Sequence, residues 1–139
     1  MVLRPPREVA YEDPEAPRTL DDLLAALGAQ PVAYPHKGEC CGAFLAIKSP
    51  ETAAEMCYTV LGSAQASGAQ VIVPNCPVCQ FNLDRQQARL RQNHSGFQPL
   101  PVLYYTQLLG LALGLDASDY GFEKHYVDPR PLLSKAGLL

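Results

Sequence analysis

A chain of 139 residues, 47% hydrophobic and 18% charged, is one domain by length and carries enough apolar material for a true core. Its formal net charge of −3, with no basic block, argues against nucleic acid as a partner. The most apolar stretch, 100–115, is broken by Pro101, Gln107, Gly110 and Gly114, which argues against a transmembrane segment.

In chain order, residues 1–18 hold Pro5, Pro6, Pro14 and Pro17 among charged side chains, and an extended, irregular lead-in is expected. Met1 to Pro6 lack the apolar run of a secretory signal. Thr19 is placed as the N-cap of a first helix, with Asp21 and Asp22 at its positive end and Leu20, Leu23, Leu24 and Leu27 at helical spacing up to Gly28. Val32-Ala33-Tyr34 is expected as a short strand. Pro35 ends it and delivers a loop carrying Cys40 and Cys41. Gly42 follows, where the absence of a side chain lets backbone approach closely.

Ser49-Pro50-Glu51 starts a second helix, with Ala53, Met56, Cys57, Val60, Leu61 and Ala64 as one apolar stripe and Gly68 as its stop. Val71-Ile72-Val73 is expected as a buried strand. Pro77 opens the next helix, which runs to about Asn93. Cys76 then sits near the N-cap and Cys79 in the first turn, where the helix dipole and unpaired N–H groups favour thiolate. Val102-Leu103-Tyr104 is expected as a third strand, followed by a helix over Thr106 to Leu113 that stops at Gly114. The tail holds a loop through Gly121, a turn at Asp128-Pro129 and a last short helix ending at Lys135-Ala136-Gly137.

This order of elements predicts an α/β fold, three-layered, with a short parallel sheet and both cysteine pairs at the carboxyl ends of strands, the rim where open sheets hold ligands. With 34 residues between Cys41 and Cys76, Cys40, Cys41, Cys76 and Cys79 can meet at one site. Five cysteines is an odd number, and with no secretory signal a reducing, cytoplasmic compartment is expected, with metal or redox work ahead of structural disulfides. Thiolates are soft ligands that suit iron–sulfur clusters, zinc and copper(I). The alternatives are inert buried cysteines, a disulfide, or a thioredoxin-like dithiol at Cys76 and Cys79, which has no use for Cys40 and Cys41. Cys57 is expected to pack as a small hydrophobe, with a fifth ligand as the alternative. His36 is either a surface residue of the loop or a ligand or proton donor. His125 is either structural or part of a substrate mouth. His94 complements a helix end, and Arg85, Arg89 and Arg91 form a solvated face. Leu108, Leu109, Leu111 and Leu113 form a core stripe or a contact between subunits.

These motifs resemble the CCG domain, the cysteine-rich module of the heterodisulfide reductase B subunit. Cys40-Cys41-Gly42 matches the middle element of that family's pattern, and Cys76-Pro77-Val78-Cys79 matches the last. Gln80-Phe81-Asn82-Leu83-Asp84, the stretch from Pro101 to Gly110, and Lys124-His125 are similar as well. The likeness covers nearly the whole chain and is strongest to the C-terminal repeat of the B subunit. Similar modules occur in glycolate and lactate oxidation proteins and in a class of succinate dehydrogenase subunits. The family's lone upstream cysteine would fall just before Met1, so a domain lacking its first strand and first cysteine is expected, with an exposed or partner-filled sheet edge.

The resemblance implies a 4Fe-4S cluster, non-cubane in the family, held here by Cys40, Cys41, Cys76 and Cys79, or zinc as in some relatives. It implies electron transfer to a small disulfide, with an iron–sulfur C subunit and a flavin-bearing A subunit of a heterodisulfide reductase as partners. The alternative function is a structural four-cysteine zinc module for the assembly of subunits, and a third reading is a simple dithiol oxidoreductase.

Overall fold

The computed structural model describes residues 6–13 and 15–139. Its framework is helical: α1 spans Thr19–Ala26, α2 Pro50–Ala66, α3 Pro77–Asn93, α4 Tyr105–Ala112 and α5 Arg130–Lys135. Short 3-10 turns lie at Arg7–Val9, Ala43–Leu45, Ala117–Tyr120 and Phe122–Lys124. These helices fall where the local signals put them, within a residue or two. Residues 1–5 and Pro14 of the expected lead-in lie outside the described residues.

The expected α/β fold with a parallel sheet does not form among the described residues. Among the described residues the strand pairing is one isolated parallel bridge, Ile72 to Val102. Val32-Ala33-Tyr34 is irregular and lies between Pro31 and Pro35. The bridge explains its own shortness. Ile72 N–H donates to Pro101 O and Leu103 N–H donates to Ile72 O, both at 2.9 Å. A parallel ladder continues from there through an N–H of residue 74 on one side and of residue 101 on the other. Both are prolines and have no N–H to give. The cysteine pairs therefore follow loops rather than strands of a sheet.

The bridge lies between two apolar clusters, because successive residues of an extended segment face opposite ways. Ile72 and Val102 join Cys41, Cys57, Leu61, Leu83 and Leu90 on one side. Leu103 joins Phe122 and Leu133 on the other, with Val71, Leu108 and Leu111 packed against them. Leu113 of the leucine stripe is instead exposed. Side chains as completely buried as Leu61 and Leu90 each contribute about 1.5–3 kcal/mol. The two long helices, α2 and α3, pack on each other, and the turn Ala43–Leu45 sits against both. At the far end of the pair His94 stacks on Tyr58, ring centroids 3.6 Å apart, and its Nε2 lies 3.1 Å from Glu55. No helix among the described residues is long and apolar enough to cross a membrane.

Local capping differs from the expectation in one place. Thr19 is the first residue of α1 rather than its cap. The carboxylate of Glu12 accepts from the N–H groups of Arg18 (2.7 Å) and Thr19 (2.8 Å) and from the Thr19 hydroxyl (2.8 Å). These bonds lower the Glu12 pKa below the ordinary carboxylate range.

Helix α3 buries three polar side chains, Asn82, Asp84 and Gln87. Each needs partners, since an unpaired polar group in the core costs about 1–3 kcal/mol. Gln87 meets the requirement by pairing with one residue's backbone: its Nε2 donates to Leu100 O at 2.7 Å and its Oε1 accepts from Leu100 N–H at 2.8 Å. The side chain thus serves Leu100 as a neighbouring strand would. Gln87→Leu keeps the bulk and strands both groups of Leu100. We expect it to lower unfolding free energy by about 2–4 kcal/mol, measured by denaturant or thermal unfolding. Unchanged stability would show that Leu100 finds other partners.

Candidate functional site

The site is assembled from the loop before α2 and the first turn of α3. Gly42 adopts the left-handed conformation, φ 75 and ψ 11, and opens the Ala43–Leu45 turn. A Cβ on it would lie 2.8 Å from Met56 Sδ, 3.0 Å from Met56 Cβ and 3.3 Å from Ala53 Cα. Both the turn and the contact with α2 therefore require glycine. Lys37 pairs with Asp21 and ties the loop to α1. His36 Nδ1 lies 2.7 Å from Glu39 of the same loop, so this histidine engages a carboxylate.

On α3, Cys76 is the N-cap and Pro77 the first helical residue, as the motif predicts. The N–H groups of Cys79 and Val78 at the open helix end favour the Cys76 thiolate, and its pKa is lowered. Cys79, one turn in, reaches across to the loop: its Sγ lies 3.2 Å from Cys41 Sγ. Cys41 is buried, Cys76 and Cys79 are partly buried, and Cys40 is exposed.

The two touching sulfurs titrate together. The Cys41 pKa is lowered to about 6 by its bond to Cys79, then by the Ala43 N–H and the Asn82 amide, against the opposing effect of burial. The Cys79 pKa is pushed up by its bond to Cys41, by burial and by the adjacent sulfurs of Cys41 and Cys76.

Cys57, on α2, does not point its sulfur at that pair. Its Sγ lies 3.2 Å from the carbonyl oxygen of Cys41, and burial, then the sulfurs of Cys41 and Cys40, push its pKa up to about 12. It is a thiol that donates to a backbone carbonyl. Asn82 Nδ2 donates to the same carbonyl at 2.9 Å.

The structure therefore brings Cys41, Cys79 and Cys76 together and leaves Cys40 at the surface beside them. Among the described residues no three Cys, His, Asp or Glu side chains form a preformed metal cage. The donor chemistry nevertheless fits a metal centre: soft sulfurs from two loops, with backbone N–H groups beside them. Two thiolates on a tetrahedral zinc stand roughly 3.8 Å apart, given Zn–S bonds of about 2.3 Å. Loading such an ion needs Cys41 and Cys79 to part by about half an ångström.

A cavity of about 540 Å³ opens between α3 and the segment 118–126, lined by Gln80, Phe81, Asp84, Gln107, Lys124 and His125 among others. Gln80 directly follows Cys79 in the chain, and the cavity wall itself holds no cysteine. His125 lies in the wall. Gln107 Oε1 accepts from Tyr104 N–H at 2.8 Å, so its Nε2 is left to donate, to Tyr120 O at 2.8 Å and to His125 Nε2 at 3.0 Å. His125 Nε2 must then accept. The neutral ring carries its proton on Nδ1, a buried atom with no hydrogen-bond partner, 3.8 Å from Asp84 Oδ2.

Asp84 itself accepts from the N–H groups of Tyr126 (2.8 Å) and Val127 (3.0 Å) and so anchors the cavity's outer segment to α3. Burial pushes its carboxyl pKa up, opposed by those two N–H groups and by His125. A carboxyl with a raised folded-state pKa binds its proton more readily folded than unfolded, so it gains stability as pH falls through that pKa. Comparing wild type with Asp84→Asn by denaturant unfolding at neutral and acid pH should show the wild type gaining relative stability at the acid end. A pH-independent difference would contradict the assignment.

Asn82 and Asp84 were legible in the sequence as part of a family-like stretch, and Gln87 as one more polar residue of a helix poor in apolar ones. That poverty is the available signal, because a long helix with two buried leucines, Leu83 and Leu90, can be covered only if its polar side chains find partners.

The profile of the CCG cysteine-rich domain matches residues 7–84. The chain is 35% identical over 136 residues to the B subunit of the ferredoxin/F(420)H(2)-dependent CoB-CoM heterodisulfide reductase of Methanosarcina acetivorans, covering 96% of this chain and 45% of that one. It is 34% identical over 136 residues to the B subunit of the ferredoxin:CoB-CoM heterodisulfide reductase of Methanosarcina mazei, with the same coverage of 96% and 45%. To the 8-methylmenaquinol:fumarate reductase membrane anchor subunit of Wolinella succinogenes it is 32% identical over 130 residues, covering 94% of this chain and 46% of that one. The chain spans about half the length of the curated relatives it matches.

Proposed function

We propose, from the premise that this chain belongs to the CCG cysteine-rich domain family, that it is the iron–sulfur electron-transfer domain of a protein like the heterodisulfide reductase B subunit. The observation that carries the reading is the contact of Cys41 with Cys79 across two loops, 3.2 Å between sulfurs, with Cys76 at the same helix end. Cys41, Cys76 and Cys79, with Cys40 at the rim, are the residues that would hold a 4Fe-4S centre.

When bound, such a centre supplies one-electron transfer to a disulfide. The chain's own residues do the rest. Gly42 lets the loop press onto α2, so Cys41 is presented from a buried position. The open end of α3 places N–H groups beside the Cys76 sulfur and stabilises its negative charge. The cavity over α3, with Gln80, Phe81 and Lys124 in its wall, offers room for a small disulfide. Exposed Phe44, Ile47, Val78 and Phe81 flank the two cysteine segments, as suits a rim meeting other protein chains. The iron–sulfur C subunit and the flavin-bearing A subunit of a heterodisulfide reductase are the partners that fit this role, in a reducing cytoplasmic compartment.

Anaerobically prepared protein should contain iron and acid-labile sulfide and show a visible charge-transfer band. Zinc near one per chain without sulfide would replace this reading with a structural four-cysteine zinc module, and protein free of both metals would end both.

A further inference from the structure

We propose that Asn82 and Cys57 are positioning residues which lock the Cys41 peptide from two helices and thereby aim the Cys41 sulfur at Cys79. The bonds form a closed triangle. The Cys41 carbonyl accepts from Asn82 Nδ2 of α3 at 2.9 Å and from Cys57 Sγ of α2 at 3.2 Å. Asn82 Nδ2 also donates to Cys57 Sγ at 3.2 Å. All three residues are buried.

The orientation of the amide follows from its other end. Asn82 Oδ1 lies 3.4 Å from Gln86 Nε2, which leaves the nitrogen of Asn82 to face the carbonyl. Both lone pairs of the Cys41 oxygen are thus taken, one by each helix. With Gly42 in its left-handed turn on the other side, the peptide between Cys41 and Gly42 has no freedom to rotate. The Cys41 side chain then chooses among staggered positions from a fixed base, and the one adopted meets Cys79. Asparagine is required at position 82 because the group facing the carbonyl must donate; an aspartate ionised at alkaline pH presents acceptors alone. Cys57 is required as a donor too, so a serine can stand in for it and an alanine cannot.

This inference deepens the proposed metal-centre reading, since it makes both residues orienting partners of a ligand. It is tested without metal. Metal-free wild-type chain is treated at alkaline pH with diamide, which takes two electrons and two protons from a pair of thiols and leaves a disulfide. Peptide mass spectrometry then follows the Cys41–Cys79 bond with time.

We expect Asn82→Asp and Cys57→Ala to slow that bond at least about tenfold, the order by which orienting partners act on a ligand. Cys57→Ser should stay within about threefold of wild type on the same scale. Leu90→Ala, in the core of α3 two turns beyond Asn82, lowers stability without removing a hydrogen bond to the Cys41 carbonyl and should leave the rate near wild type. Should Asn82→Asp not fold, the contrast between Cys57→Ala and Cys57→Ser decides alone. A wild-type rate in Asn82→Asp or Cys57→Ala overturns the lock, as does a wild-type chain that never forms the Cys41–Cys79 bond. Absence of iron and zinc from the native protein would sink the preceding reading and leave this result standing.

Discussion

Gly42→Val is expected to lower the melting temperature by roughly 10–20 °C and to detach the cysteine loop from α2. Two penalties combine. A branched side chain in the left-handed region costs about 1–2 kcal/mol. Forcing extra carbon into a packed contact costs about 1–3 kcal/mol more. Here the contact is tight, since the first added carbon already lies 2.8 Å from Met56 Sδ and 3.3 Å from Ala53 Cα. The sulfur of Met56 can swing aside, but the Ala53 backbone of a helix cannot. Because Gly42 adjoins Cys41, the loss reaches the site: the Cys41–Cys79 contact should open along with the fold's local packing. Gly42→Ala should show a smaller loss of the same kind. Thermal unfolding by circular dichroism measures both, and a Gly42→Val protein that melts with the wild type would refute the close approach.

Cys79→Ser is expected to remove essentially all bound metal and the visible absorbance of the anaerobic protein. The serine oxygen is a hard, neutral ligand at neutral pH and a poor match for iron–sulfur or zinc–thiolate chemistry. Cys79 is also the residue that joins the two halves of the site, since its sulfur contacts Cys41 from the loop and lies beside Cys76 on its own helix. Cys41→Ser should behave alike. Cys57→Ser, by contrast, should keep most of the metal, because the Cys57 sulfur faces the Cys41 carbonyl rather than the other sulfurs. Metal and sulfide analysis on the three variants separates the cases. Full metal content in Cys79→Ser would move the centre elsewhere, and complete loss in Cys57→Ser would make Cys57 a ligand.

The sequence by itself determined the helices and the two cysteine segments. Their signals are local: Pro50 and Pro77 at first helical positions, apolar side chains at 3.6-residue spacing along α2, and Gly42 directly after a vicinal cysteine pair. It also marked Cys40, Cys41, Cys76 and Cys79 as candidates for one place, through their motifs and spacing, whereas Cys40 lies exposed. Only the tertiary structure decided that no sheet forms among the described residues. Short apolar runs such as Val71-Ile72-Val73 report burial, whereas a ladder depends on which donors face which acceptors. The register that pairs Ile72 with Val102 presents Pro74 and Pro101 as the next donors.

Only the tertiary structure could also give Asn82, Asp84 and Gln87 their meaning, because their partners are Cys41, Tyr126 and Leu100, 41, 42 and 13 residues away. A helix period says which side of α3 turns inward. It carries no information about which distant backbone groups wait there, and those groups, through hydrogen bonds that must be made once water is excluded, set where the Cys41 sulfur points.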